Sequence, residues 1–217
     1  MPSPVDPNAV LMTGENSFIR LSTDGGKTAV NRLSHWRVLW CPAGEGHVLF
    51  AHGKITEGRV RIFADNVAVA RWLQVNIESL LFPAFADPML PVLDAEFERE
   101  GDPRGAATER ILAHETDIVM TWHDCLEPFV LTMPPGMNGR PIGVFSTFFP
   151  ARGAQVEWDG RVATGQPWAE MRGDRPSTSA CLAWSETWVK PRDGAAAKPQ
   201  STGKALRAVK APKRRAA

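Results

Sequence analysis

Apolar and polar residues alternate with a period of two along most of this chain, and the clearest example runs from Glu109 to Met133. After a turn near Thr116-Asp117, for instance, Ile118 and Met120 alternate with Val119. Successive side chains of a β-strand point to opposite faces of its sheet, so this period indicates strands. The stretch therefore predicts an antiparallel hairpin followed by a third strand. Both faces carry apolar side chains, which predicts a central position in the sheet.

The same alternation predicts strands in most of the remaining chain, at residues 17–22, 35–41, 47–53, 59–64, 92–100, 142–149, 154–158, 161–164 and 179–189. Turn-forming residues separate them, and Asp159-Gly160 is the strongest two-residue hairpin signal. One segment has a helical period instead. Asp65-Asn66 can cap a helix from Val67 to about Leu81, which Phe82-Pro83 ends. Its predicted apolar stripe comprises Val69, Leu73, Ile77 and Leu80.

These elements, about ten short strands and one helix, predict a single mostly β domain over residues 17–190. Many short strands must protect their edges, which favours an antiparallel β-barrel or a sandwich of two curved sheets. At the level of the fold, the arrangement is similar to calycin-type (lipocalin-like) barrels. That resemblance implies antiparallel strands around one small-molecule cavity.

The two ends of the chain lack this periodicity. Residues 1–16 are therefore predicted to form a flexible N-terminal arm. Residues 191–217 are predicted to form a disordered tail because they are rich in Ala, Lys, Pro and Arg. The chain has 25 Lys and Arg residues and 24 Asp and Glu residues. Nine of the basic residues and one of the acidic residues lie in residues 190–217, so this segment has a net charge of +8 and residues 1–189 have a net charge of −7. A basic tail can bind nucleic acid or an anionic membrane surface. Such tails more often only increase solubility, and no nucleic-acid module is recognisable, so these partners are disfavoured.

Several function classes are disfavoured by motifs that the sequence lacks. It has no apolar run of eighteen residues for a membrane span, and residues 1–17 do not have the pattern of a secretory signal. Cys41, Cys125 and Cys181 are widely spaced, which indicates free thiols in a reducing cytoplasm. No His-x-His, His-Glu-x-x-His, Gly-x-Gly-x-x-Gly, Walker or Gly-x-Ser-x-Gly motif occurs. We therefore expect neither a metal nor a nucleotide cofactor.

The chain has eight tryptophans and no tyrosine. Most of the tryptophans fall in predicted strands or the helix, which predicts a Trp-lined barrel interior that binds a small apolar or aromatic molecule. His52 shares a strand face with Val48 and Phe50, so it is predicted to line the same cavity, and Arg71 could reach across the barrel mouth. The predicted ligand-binding residues are Trp36, Trp40, His52, Arg71, Trp122, Trp184 and Trp188.

Glu186 and His123 are the candidate proton carriers. Alternation places Glu186 between Trp184 and Trp188 on one strand face. If that face is buried, desolvation raises the pKa of Glu186 toward the range of a general acid; if it is exposed, Glu186 is a solvated carboxylate. His123 precedes Asp124, and histidine is the usual acid or base near neutral pH. The simpler interpretation is a strand-end histidine beside a turn-forming aspartate.

Three functions therefore remain open from the sequence. The first is a cytoplasmic β-barrel that binds a small apolar or aromatic molecule in a Trp-lined cavity. The second is a cofactor-free isomerase, hydratase or cyclase in the same cavity, with Glu186 and His123, and also His52 or Asp65, as proton carriers. The third is an interaction protein that uses its basic tail.

Overall fold

The structure, a computed structural model, describes residues 9–190. Residues 1–8 of the predicted arm and the predicted tail lie outside the described residues. The strands are β1 (Val10–Ser22), β2 (Ala29–Cys41), β3 (Gly44–Gly53), β4 (Arg61–Ala64), β5 (Val92–Gly101), β6 (Ala106–Ala113), β7 (Thr116–Cys125), β8 (Phe129–Met133), β9 (Gly143–Trp158), β10 (Arg161–Val162), β11 (Ala169–Arg172), β12 (Arg175–Thr178) and β13 (Ala180–Val189).

Helical residues lie mainly between β4 and β5. There α1 (Val67–Leu73) continues through a π-helical turn (Gln74–Glu78) into α2 (Ser79–Leu81). Short 3-10 turns occur at Lys54–Thr56, Pro83–Phe85 and Met137–Gly139. Within residues 9–190, no helix is long and apolar enough to cross a membrane.

Nine strands form a closed barrel in the order β9, β13, β1, β2, β3, β4, β5, β6 and β7, and β7 pairs with β9 to complete it. Because the barrel is closed, none of its nine strands lies at a free edge of the sheet. Free edges expose unpaired backbone N–H and C=O groups, which is why many short strands favour a closed barrel. The predicted mostly β barrel is confirmed. One neighbouring pair, β4 with β5, is parallel rather than antiparallel, because the helical segment carries the chain across between them.

Several predicted boundaries are wrong, among them the start of the strand predicted at 35–41, since β2 begins at Ala29. β1 begins at Val10, so residues 10–16, predicted as part of a flexible arm, belong to the barrel wall. The predicted strands at 142–149 and 154–158 are one strand, β9. Its first half pairs with β13 as far as Pro150, and its second half pairs with β7 from Ala151 onward. The strand thus changes partner in the Pro- and Gly-containing stretch at residues 150–153.

Successive side chains of the barrel strands point alternately into two hydrophobic cores, one inside the barrel and one outside it. The first core draws side chains from every barrel strand and fills the interior: Ile19, Leu33, Leu49, Phe63, Ala95, Ile111, Met120, Val156 and Leu182. The second core lies on the outer face of β1, β2, β3, β4, β9 and β13, under a cover that includes the helical segment and β8. Its members include Trp36, Phe50, Leu73, Phe85, Leu131, Phe148 and Trp188. The outer face of this half of the barrel is therefore buried as well.

The helix predicted from 67 to 81 is confirmed, and Asn66 caps it by accepting hydrogen bonds from the backbone N–H groups of Ala68 and Val69. The π turn at Gln74–Glu78 adds one residue to a turn, which rotates the residues after it. Leu80, predicted on the apolar stripe, is consequently 50% exposed, whereas Glu78 is fully buried.

Candidate functional site

A cavity of about 240 Å³ lies between the outer face of the barrel and its cover. The barrel side comes from β1, β2, β9 and β13, and the cover comes from the end of the helical segment, β8, the loop after β8, and β11. Its apolar lining residues are Phe18, Leu81, Leu131, Met133, Val144, Phe148 and Trp188. Its polar lining residues are Asn16, Arg20, Arg32, Ser34, Arg140, Arg172 and Glu186.

Strand register brings two of the four arginines together. Arg20 on β1 pairs directly with Arg32 on β2, and both side chains lie on the outer face because Ile19 and Leu33 fill the barrel interior. The other two arginines come from the cover: Arg140 follows the 3-10 turn after β8, and Arg172 ends β11.

Two of the four guanidinium groups, those of Arg20 and Arg172, have both aromatic rings and a carboxylate as partners. Arg20 and Arg172 lie 5.6 and 5.7 Å from the ring centre of Phe18, and Arg172 lies 5.9 Å from that of Phe148. Arg20 and Arg172 also share one carboxylate, that of Glu170, at 2.6 and 3.3 Å.

Arg32 and Arg140 have fewer partners. Within residues 9–190, neither forms a salt bridge. Arg32 packs on the ring of Phe82 at 4.5 Å, and its Nε atom is buried without a hydrogen-bond partner, as is the Nε atom of Arg172. Burial is the largest cause that lowers the pKa of both Arg32 and Arg140, and the neighbouring arginines add to it.

Glu186 is a buried carboxyl group in the cavity wall. The Nε1–H group of Trp188 donates a hydrogen bond to its Oε2 atom at 2.9 Å. Burial raises its pKa from 4.5 to about 8, although the hydrogen bond from Trp188 opposes that shift. At neutral pH the carboxyl group is therefore mostly protonated, and it can donate a hydrogen bond or a proton.

A second buried carboxyl group, Glu78, lies behind the cavity. It accepts hydrogen bonds from Trp36 Nε1 at 2.9 Å and from Ser34 Oγ at 3.3 Å. Burial raises its pKa, and the charge of Arg32 opposes the shift. Even if Glu78 and Glu170 are both ionised, four guanidinium groups face two negative charges, so the site has an excess of positive charge.

Glu186 and Trp188 both line this cavity, but Trp184 does not share their face, contrary to the prediction. Ser185 adopts a left-handed conformation with φ 54°, and the pairing of β13 with β9 shifts between Trp184 and Thr187. This bulge reverses the alternation. Trp184 instead contacts Phe149 at 5.5 Å, next to the interior core.

The other predicted ligand-binding residues do not gather around one cavity. Trp36 packs behind Trp188 at 5.5 Å, and Trp122 is buried in the barrel interior. Trp40 is 50% exposed. His52 on β3 pairs with Arg32 on β2, and its ring centre lies 5.7 Å from that of Phe82. It does not line the cavity. Arg71 donates to Gln74 Oε1 and to the carbonyl of Leu90, which ties the helix to the following loop. The predicted tryptophans thus divide between the barrel interior, its outer face and the surface, and of them only Trp188 lines this cavity.

His123 lies apart from Glu186. It is an exposed residue of β7, paired with Gly153 of β9, and its ring covers that glycine so closely that a Cβ atom there would collide with it. It lines neither this cavity nor the second one described below. The structure thus does not bring the two predicted proton carriers together.

A second cavity, of about 510 Å³, lies at one end of the barrel. Phe63, Leu93 and Trp158 form its apolar floor, and its rim carries charges of both signs, among them Arg61 and Asp94. The side chain of His114, at the β6–β7 turn, is 95% exposed. Although this cavity is the larger one, its rim is solvated and heavily charged, with four carboxylates and two arginines, so it is the weaker candidate.

The barrel interior also holds a polar cluster. Both ring nitrogens of His35 are buried without hydrogen bonds, and its Nδ1 atom lies 3.6 Å from Glu109 Oε1. Burial lowers the pKa of His35 well below its usual value and raises that of Glu109 to about 7, even though Arg99 contacts this carboxylate. The cluster lines neither cavity. In the described part of the chain, no group of His, Cys, Asp and Glu residues is arranged to hold a metal ion.

The sequence carried a signal for half of the arginine cluster. Arg20 and Arg32 lie on either side of the predicted turn at Asp24-Gly25-Gly26. If the strands before and after this turn are extended up to it, these two residues pair with each other. Arg140 follows a short 3-10 turn, and Arg172 is the last residue of β11. Neither element has a recognisable hydrophobic period, so no local sequence pattern connects these two arginines to Arg20 and Arg32. Comparison of the chain with protein-family models, curated proteins and solved structures found no match.

Proposed function

We propose that this protein binds a small organic molecule with an apolar or aromatic body in the cavity on the outer face of the barrel. The observation that supports this proposal is a cavity lined by seven apolar and seven polar side chains, because an apolar wall beside convergent polar groups is typical of a small-molecule site. The binding site of the proposal is thus not the barrel interior that the calycin analogy suggested.

The cavity volume limits the size of the ligand. A dry cavity of about 150 Å³ accommodates benzene. By that scale, a cavity of about 240 Å³ accommodates a molecule of roughly ten non-hydrogen atoms. Eight-carbon aliphatic compounds and single-ring aromatic compounds with a short side chain are therefore suitable test ligands.

Calorimetric titration of such compounds tests the proposal. Leu81→Trp should block the cavity because Leu81 lines it, and we expect affinity to fall at least about tenfold. Leu80→Trp is the matched control, since Leu80 is the neighbouring residue and is half exposed. Equal affinity in the two variants, or no binding by any compound of this size, would contradict the proposal.

A second candidate function is cofactor-free acid/base catalysis, such as isomerisation, hydration or cyclisation. The observation that favours it is Glu186, a carboxyl group with a pKa of about 8 in the cavity wall, which suits a proton donor at neutral pH. For an identified substrate, Glu186→Gln should abolish turnover and leave binding within about twofold. His123→Ala serves as the control because His123 lies outside the cavity; full activity of Glu186→Gln would rule out this role.

A further inference from the structure

We propose that the ligand is an amphipathic oxyanion, and that Arg20, Arg32, Arg140 and Arg172 bind its carboxylate or phosphate group while the apolar wall holds its body. This inference rests on the proposed function, that the cavity takes a small molecule.

The cross-strand pair of Arg20 and Arg32 is the first observation. Like charges directly opposite each other on one face of an antiparallel pair destabilise a sheet. The chain nevertheless places two arginines in register there and adds two more from the cover. An arrangement that costs stability is expected where it serves binding, because a bound anion would offset the repulsion.

The second observation is the set of unused donors. Guanidinium groups bind carboxylates and phosphates through paired N–H groups in a planar fork. Within the described residues, Arg32 and Arg140 have no carboxylate within salt-bridge distance, and the buried Nε atoms of Arg32 and Arg172 have no acceptor. Burying such donors without acceptors is unfavourable. An oxyanion between these side chains would supply the acceptors.

The carboxyl groups near the cavity do not fill this role. Glu170 already bridges Arg20 and Arg172. Glu78 accepts hydrogen bonds from Trp36 and Ser34. Glu186, in the cavity wall, accepts one from Trp188. Within residues 9–190, neither Glu78 nor Glu186 forms a salt bridge. The site is thus built for an anion that comes from outside the described chain.

The aromatic rings place the cationic and apolar parts next to each other. Phe18 lies under Arg20 and Arg172, and its ring packs edge-to-face with that of Phe148, with the ring centres 6.2 Å apart. Leu131, Met133 and Val144 continue the apolar wall. A ligand with an anionic head and an apolar body matches both parts, whereas a neutral apolar molecule would leave the arginines without an acceptor.

Three compounds of about ten non-hydrogen atoms each, the size that the cavity accommodates, test the inference by calorimetry: octanoate, pentyl phosphate and neutral octanamide. We expect at least one of the anions to bind about tenfold or more tightly than the amide, since charge-assisted hydrogen bonds are made only with the anions. The ratio of octanoate to pentyl phosphate affinity indicates which head group the arginines prefer.

Variants locate the binding. Arg32→Gln and Arg140→Gln should each weaken anion binding about tenfold and change octanamide binding less than about twofold. Arg152→Gln is the matched control, because Arg152 is an exposed arginine of β9 whose side chain pairs with Asp124 outside the cavity. The melting temperature of the ligand-free variant tests whether Arg140 instead stabilises the fold. Arg140→Gln without ligand should keep or raise the melting temperature, because it removes repulsion from the cluster.

The outcomes distinguish the inference from the proposed function. If octanamide binds as tightly as the anions, the cavity binds small molecules but the inference fails. Anion affinity that survives both substitutions, or a marked loss of melting temperature in Arg140→Gln with anion affinity unchanged, would also overturn the inference. If neither these three compounds nor the aromatic compounds of the first titration bind, both proposals are overturned.

Discussion

Glu186 is the residue whose chemistry depends most on its surroundings. A glutamate is ordinarily ionised at neutral pH, but this one is buried, and its Oε2 atom accepts a hydrogen bond from Trp188. Because its pKa rises from 4.5 to about 8, the folded state binds a proton that the unfolded state releases. Its contribution to stability is therefore complete below about pH 4.5 and is lost as the pH rises through about 8.

We expect Glu186→Gln to remove most of this pH dependence. The glutamine keeps an acceptor for Trp188 and has no proton to lose. Between pH 5 and 9, the wild type should lose about 2–4 kcal/mol of unfolding free energy relative to the variant. Denaturant unfolding at several pH values measures the difference, and parallel curves for the two proteins would contradict it. The variant should retain some slope because burial also raises the pKa of Glu78 and Glu109.

At the scale of single elements, two irregularities decide which side chains reach the cavity. The bulge at Ser185 turns Glu186 and Trp188 onto the outer face, and the π turn at Gln74–Glu78 buries Glu78 behind the arginines. Both irregularities add one residue to a regular repeat, so every side chain after them changes direction.

The bulge requires a positive φ at Ser185, which non-glycine residues adopt at a cost of about 1–2 kcal/mol. β-Branched residues suffer most in this conformation. We expect Ser185→Val to destabilise the protein by about 1–3 kcal/mol and Ser185→Gly to be nearly neutral. The matched control is Thr187→Val two residues later, where φ is not positive. Denaturant unfolding of the three variants checks this, and equal stability of Ser185→Val and Thr187→Val would be inconsistent with a strained bulge.

The π turn makes a separate prediction for the helix. Ile77 is fully buried, whereas Leu80 is half exposed after the widened turn. Ile77→Ala should cost about 2–5 kcal/mol of unfolding free energy, and Leu80→Ala should cost less than about 1 kcal/mol. A regular helix with the predicted stripe would give similar losses at both positions, so comparable values would contradict the widened turn.

At the scale of the whole molecule, the cavity joins parts of the chain that are distant in sequence. Phe18 and Arg172 belong to different ends of the described chain, and the cavity lies where the cover meets the closed barrel. A ligand bound there contacts both layers, so it should stabilise the complete fold rather than one element.

Octanoate or pentyl phosphate, at about 100 times its dissociation constant, should add about 2.7 kcal/mol to the unfolding free energy. For a domain of this size, that corresponds to a rise in melting temperature of roughly 5–10 °C. Thermal unfolding with and without ligand measures the shift, and Arg32→Gln at the same ligand concentration should show a smaller one. An unchanged melting temperature of the wild type would contradict binding to the folded state.

The sequence by itself determined the local elements and the class of fold. Period-two alternation predicts most of the barrel strands, and Asn66 and Phe82-Pro83 delimit the helix, because these signals depend only on nearby residues. Many short strands in turn require closed edges, which predicts the barrel.

Only the tertiary structure decided where the site lies. A one-residue bulge at Ser185 separates Trp184 from Glu186, and alternation alone cannot show it. The cover places the cavity outside the barrel, and the arginine cluster joins β1 and β2 to Arg140 and Arg172 through long-range packing. The site depends on contacts between residues far apart in the chain, whereas the strands and the helix depend on contacts between neighbours.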